Sequence, residues 1–385
     1  MRAMGTIGVL ASAVLLLTAC STGASNDPEG PDPSGPPIVI GLETPVSGPF
    51  AADGASASAG ATLAVEAINA SGGVLGRQLS LKIGDDQGQA AQGPIVAQKL
   101  MSDGAVAIVG GSYSGPSLSS AAVYQRAGVP MVTAYAVHPD ITKAGDLNFR
   151  IWPVADVEGA ALVEYAQGDL GASKVGILNL DNDFGVSLMK GFSEAFESGG
   201  GTVVAQRSEQ VGTTDFSASL TTIKAANPDS LFVAAYYTEA AQIVKQARTI
   251  GLDVPIFGAG FDSPLFLTLA GGAANDVTFI SDFTTDSDDA RVIEFVKAYK
   301  AATGKEPDSN AASTYDSVLV IADAIKRANS TDGAAIAAAL RDTDLVGVTG
   351  SIGFTADREA RRTLFLNHIE NGAIKAIGQI KIGDN

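Results

Sequence analysis

From residue 38 onward the chain alternates short apolar runs with longer helical patterns, and no other feature limits its fold so strongly. Runs at 38–42, 79–83, 106–109 and 129–132 have the length and β-branched content of buried strands. Between them, 55–70, 93–102 and 117–127 carry the helical pattern. A second series follows, with strands at 175–180, 202–205, 230–235 and 254–257 and helices at 185–197, 216–226 and 239–250. In the last of these helices Ile243, Val244, Ala247 and Ile250 share one face, and Gly251 is a fitting residue to end it. Such alternation builds an α/β fold, a parallel sheet covered by helices on both faces with right-handed crossovers.

The two series punctuate alike. Gly128-Val129-Pro130-Met131-Val132 in the first answers Gly251-Leu252-Asp253-Val254-Pro255-Ile256-Phe257 in the second, which predicts two Rossmann-like lobes of similar topology. The remaining helices at 290–303 and 310–327 and strands at 364–369 and 374–380 are too short for a third lobe. They are expected to complete the first two, so the chain must cross between lobes more than once. Open parallel sheets bind ligands outside the carboxyl ends of their strands, so two such lobes put the site in the cleft between them. A length of 385 residues fits two cores better than one.

Charge and composition then remove whole classes of function. Arg and Lys number 25 against 42 acids, a net charge of −17 that repels nucleic acid and anionic lipid. One cysteine permits no intrachain disulfide, and His138 and His368 alone make a histidine zinc site a poor fit. No phosphate loop, GxGxxG, HExxH or GxSxG pattern is present, so no cofactor is expected.

The start of the chain reads as an address. Arg2, an apolar run at 7–17 and then Leu17-Thr18-Ala19-Cys20 form a short basic-then-apolar leader, too short to span a bilayer as a permanent helix. Leu-Thr-Ala-Cys resembles the lipobox of bacterial lipoproteins, which implies a signal peptide over 1–19 and a lipidated Cys20 as the new N-terminus. The following stretch to residue 37 carries five of the sixteen prolines and no large apolar side chain, and is expected to be a disordered tether. Together these predict an extracytoplasmic domain held at the outer leaflet by lipid alone.

Two stretches offer binding chemistry. Gly110-Gly111-Ser112-Tyr113-Ser114-Gly115-Pro116-Ser117 lies between a strand and a helix, where small residues let backbone amides approach a ligand and a helix N-terminus after Ser117 favours an anion. With no Lys or Arg in it, a carboxylate suits it better than a polyphosphate; a plain N-cap turn is the other reading. Tyr236-Tyr237 end a strand, either in the core or on a cleft wall. The acid groups Asp85-Asp86, Asp181 with Asp183, and Asp286 with Asp288 and Asp289 read as solvated turn acids, and His138 before Pro139 as a turn residue. Ser112 or Ser114 as a hydrolase nucleophile lacks a recognisable paired base.

Further motifs carry a family resemblance. Pro45-Val46-Ser47-Gly48-Pro49-Phe50, Ile68-Asn69-Ala70-Ser71-Gly72-Gly73-Val74-Leu75-Gly76-Arg77, Asp85-Asp86-Gln87 and Asp183-Phe184-Gly185 resemble branched-chain amino-acid-type solute-binding proteins. So do Tyr236-Tyr237-Thr238-Glu239, Gly260-Phe261-Asp262-Ser263-Pro264 and Thr314-Tyr315-Asp316. The resemblance implies a type I periplasmic-binding fold, with lobe 1 from 38–152 and 284–351 and lobe 2 from 153–283 and 352–385. Its three crossovers would lie near 151–155, 280–284 and 350–354. It further implies a monomeric receptor, not an enzyme, that passes its solute to the permease subunits of an ABC importer; a ligand sensor is the alternative role.

Carried over residue by residue, the family's carboxylate-binding serine falls on Ser114 beside Tyr113. Its next loop falls on Tyr135-Ala136-Val137, where Val137 has no hydroxyl to donate. Its second-lobe tyrosine is Phe184, while Tyr237 keeps the aromatic character. Where relatives hold an ammonium-binding acid this chain has Ala259-Gly260, leaving Asp53 and Asp262 as substitutes. Tyr113, Tyr135, Phe184, Tyr236, Tyr237 and Phe261 are expected to line the cleft with rings. Two solutes remain open: Leu, Ile or Val with Asp53 or Asp262 as counter-ion, or a carboxylic acid or amide without the amine.

Overall fold

The computed structural model describes residues 35–383, so the leader, Cys20 and most of the tether lie outside the described residues. The first series folds as β1 (Ile38–Thr44), α1 (Ala51–Ala70), β2 (Leu79–Asp85), α2 (Gly93–Ser102), β3 (Ala105–Gly110) and α3 (Ser114–Ala127). It closes with β4 (Met131–Thr133), the short α4 (Asp140–Lys143) and β5 (Asn148–Arg150). All five strands pair in parallel, in the order β2-β1-β3-β4-β5. Ile38, Ile40 and Leu42 alternate into one fully buried face of β1, the signature of a strand covered by helices.

The second series repeats the pattern. It runs α5 (Ala155–Val163), β6 (Lys174–Leu180), α6 (Asp183–Ser198), β7 (Thr202–Glu209), α7 (Ser217–Ala225), β8 (Ser230–Ala234) and α8 (Tyr237–Thr249). Then come β9 (Ile256–Ala259), α9 (Pro264–Ala270) and β10 (Val277–Ser281). The order β7-β6-β8-β9-β10 reproduces that of the first sheet strand for strand. The Gly/Pro echo falls at the same place in both, just before β4 and just before β9, with Gly128 at φ 75° and Gly251 at φ 71°. That left-handed backbone ends the preceding helix in each series.

The tail completes both halves. Helices α10 (Ala290–Thr303), α11 (Ser309–Ala328) and α12 (Gly333–Arg341) return to the first half, where Val318, Ile321, Ile336 and Leu340 share a core with β1. Strands β11 (Asp344–Gly347), β12 (Gly350–Phe354), β13 (Ala360–Glu370) and β14 (Ala373–Ile382) extend the second sheet in antiparallel fashion beyond β10. The boundary expected at 351/352 falls inside β12, which is hydrogen-bonded to β13 while Ile352 and Phe354 pack into the first core. The strand therefore serves both halves.

Several local expectations are corrected. Helix α3 starts at Ser114, not after Ser117, because Tyr113 is extended and the Ser117 hydroxyl bonds back to the Tyr113 carbonyl at 2.8 Å. Tyr236 and Tyr237 do not end β8, which stops at Ala234; they begin α8. Asp86 is no solvated turn acid. It is fully buried, accepts from the Gly88 amide at 2.8 Å, and burial pushes its carboxyl up to about 6. Asp181, Asp183, Asp286 and Asp288 are exposed, as turn acids should be. The His138 ring accepts from the Asp140 amide at 3.2 Å inside a turn. Among the described residues no helix is long and apolar enough to cross a membrane.

Candidate functional site

A cavity lies between the two halves, at the carboxyl ends of their parallel strands. From the first half, the turn after β3 brings Ser112, Tyr113 and Ser114, and the turn after β4 brings Tyr135, Ala136 and Val137. From the second half come Phe184 at the start of α6, Tyr237 at the start of α8, and Gly260 and Asp262 after β9. Asp53 reaches in from the first turn of α1. Ten of the eleven ligand-contact residues expected from the sequence thus share one wall or another of this cavity. The exception is Phe261, which is 1% exposed and stacks on Phe266 with centroids 5.3 Å apart inside the second-half core. Asp262, the next residue, lines the cavity instead.

The rings cross from one half to the other. Phe50 lies 4.2 Å from Tyr113, and Tyr113 meets Tyr236 edge-on at 5.1 Å. Tyr236 in turn stacks on Phe184 at 5.0 Å, with its hydroxyl held by Asn182 at 3.1 Å. Tyr135 leans on Trp152 at 4.5 Å to form a second aromatic wall.

Polar groups are arranged unequally. At one end Ser112 bonds Thr44 through its hydroxyl at 3.1 Å, and Ser114 is the first residue of α3, so its amide is one of the helix's unpaired donors. That end suits an anion. Elsewhere the cavity is acidic. Tyr113 donates to Asp53 at 2.5 Å, and Tyr135 donates across the halves to Asp262 at 2.5 Å. Burial pushes the Asp53 carboxyl up to about 8, outweighing the lowering effect of Tyr113. Burial also raises Asp262, against its hydroxyl donors. No Lys, Arg or His lines the cavity among the described residues. Position 260 could not have carried the missing acid without strain, since Gly260 sits at φ 87° and a Cβ there would lie 2.5 Å from the Ala235 carbonyl oxygen.

Sequence reasoning missed Trp152, Glu158, Ser263 and Asn310, all of which border the cavity. Glu158 is 1% exposed, its carboxyl pushed up to about 8 by burial, with the Trp152 indole donating to it at 3.4 Å. It stands in the first turn of α5, an element that the sequence reading left unassigned. Asn310 lies in the first turn of α11, well beyond Ser263, the nearest of the other lining residues in sequence. No motif marks either one; an acid just inside a helix start was the only available signal for Glu158.

Comparison with known proteins places these features in context. The pattern of the periplasmic binding protein family matches residues 37–373. A Leu/Ile/Val-binding protein of Rhizobium johnstonii, BraC3, is 32% identical over 79% of this chain and 83% of its own length. Among solved structures, the branched-chain amino acid transporter substrate-binding protein LivJ of Streptococcus pneumoniae, in complex with isoleucine, has a TM-score of 0.84. It is 34% identical and covers 90% of this chain and 100% of its own. The leucine-binding protein LivK of Thermotoga maritima has a TM-score of 0.83 at 28% identity, covering 89% and 98%.

Proposed function

The chain belongs to the periplasmic binding protein family, and on that premise we propose that it is the solute receptor of an ABC importer, capturing an α-amino acid between its lobes. The observation that carries this reading is the polarity of the cavity: amides and hydroxyls of the Ser112–Ser114 turn at one end, buried Asp53 and Asp262 elsewhere, and no basic side chain to neutralise them. A zwitterion complements both ends, whereas a buried unpaired ammonium or carboxylate would cost about 3–5 kcal/mol. Relatives named for Leu, Ile and Val make those the first solutes to test. The receptor performs no chemistry of its own, and the lobes, 38–152 with 284–351 and 153–283 with 352–385, close on the solute by a hinge.

A solute without the amine is the second reading, favoured by Asp53 and Glu158, whose carboxyls at about 8 hold their protons near neutral pH and can donate to an acid. Calorimetry with leucine and its deaminated analogue in buffers of different ionisation heat separates the two. An ammonium lowers the acid it meets, so leucine binding releases protons and tightens as pH rises from about 6 to 8. An acid ligand needs the protonated carboxyls, so its affinity falls over the same range. If the analogue binds better than leucine, the amino-acid reading fails. The anchor is proposed to be lipid on Cys20, and Cys20→Ser should release the protein from the membrane fraction with solute affinity unchanged; retention would count against it.

A further inference from the structure

The cavity holds more hydrogen-bonding capacity than the head group of an aliphatic amino acid can use. Asn310 is 7% exposed and borders the cavity, yet its side-chain oxygen has no hydrogen-bond partner. Its place in α11 does not explain it, because Asp308 already caps that helix, accepting from the Ala311 amide at 2.9 Å. Buried amides are rarely left unpaired without a reason. Glu158 stands in a similar position: enclosed, with one long bond from the Trp152 indole to one of its two carboxyl oxygens, and, as a protonated acid, with an O–H to donate. By contrast Asp53 and Asp262 each hold a short bond from a tyrosine. Asp262 acts electrostatically on both Asp53 and Glu158, so the three carboxyls form one acidic tract. An α-ammonium has three N–H donors and serves the Asp53–Asp262 part of that tract. A hydrocarbon side chain would then bury Glu158 and Asn310 against methyl groups with nothing to bond.

We infer that the cavity selects amino acids whose side chain ends in a hydrogen-bonding group, such as an amide, hydroxyl or amine, with Asn310 and Glu158 as the specificity-determining residues. The inference rests on the amino-acid reading above and goes further, because it ranks solutes by side chain. Sites built to bond a polar group discriminate strongly against an isostere that lacks it, since their own groups are then left unpaired.

Two nearly isosteric pairs test it by calorimetry on the intact protein: asparagine against leucine, and glutamine against methionine. In at least one pair the polar member is expected to bind at least tenfold tighter. Asn310→Leu should shrink that preference at least tenfold, and Glu158→Gln, which keeps the shape, should shrink any preference for a side-chain amine. Leucine and methionine binding as tightly as their polar partners would overturn the inference while leaving the amino-acid reading intact. Failure of all four to bind would remove both. A uniform loss across all four solutes in Asn310→Leu would assign that residue to the scaffold and also overturn the inference; the comparison in the unaltered protein decides even if the variant fails to fold.

Discussion

Ser114 shows how one residue can join helix geometry to recognition. As the first residue of α3 it contributes an unpaired amide and a buried hydroxyl at the same corner of the cavity. A hydrogen bond to a charged group contributes about 1.5–3 kcal/mol. Ser114→Ala should therefore weaken solute binding by about 10- to 150-fold at 1.4 kcal/mol per decade. Calorimetry reads this directly, and a change below about threefold would mean the hydroxyl does not meet the solute. Ser114 and the tyrosines were legible in the sequence because each sits within a few residues of a strand end, and the two aspartates because the family resemblance pointed to them. Phe261 was misread because periodicity gives the face of a strand but not the direction of a side chain in the loop beyond it.

At the scale of elements, the position of Glu158 depends on how closely two helices approach. Helices α5 and α6 cross at Gly159 and Gly191. A Cβ on Gly191 would lie 2.3 Å from the Asp156 Cα, and one on Gly159 would lie 2.6 Å from the Leu188 carbonyl oxygen. With backbone on both sides, neither contact can be relieved by a side-chain rotation. Gly191→Ala should thus force the helices apart and destabilise the fold by about 1–3 kcal/mol. The same shift moves Glu158, so solute affinity should fall in thermal-shift and calorimetric assays together. An unchanged melting temperature would show the crossing to be looser than the geometry says. Helix α5 escaped the sequence reading because the face it buries, Ala155, Glu158, Gly159, Leu162 and Val163, includes an acid and a glycine while Val157 is exposed, so no apolar stripe shows in the sequence.

The whole molecule carries an unusual load of buried acid. Burial pushes Glu43, Asp53 and Glu158 up to about 8, and Asp86 and Asp308 up to about 6. Each of these groups keeps its proton in the folded state after it has lost it in the unfolded chain. Between roughly pH 4 and 8 the native state therefore binds more protons, and stability falls as pH rises through that window. The ligand-free protein is expected to melt at a lower temperature at about pH 8 than at about pH 5. A cationic head group offsets the Asp53 part of the penalty, so the solute should raise the melting temperature most at the alkaline end. A flat profile would mean that these carboxyls are solvated or paired in solution.

The sequence by itself determined the two strand–helix series, their shared punctuation, the return of the tail to both lobes, and a site at the strand ends, because all of these follow from periodicity and turn chemistry within short stretches. Tertiary structure alone decided which chemistry closes the site. Glu158 and Asn310 arrive on α5 and α11, which follow the first two passages between the halves, and their roles depend on long-range packing that no local pattern encodes. The short β5, with three residues, carries too few apolar positions to announce itself, yet it places the chain so that Trp152 and then Glu158 turn into the cavity. Burial, which raises the acids and leaves the Asn310 side-chain oxygen unpaired, exists only once both lobes are assembled around the same space.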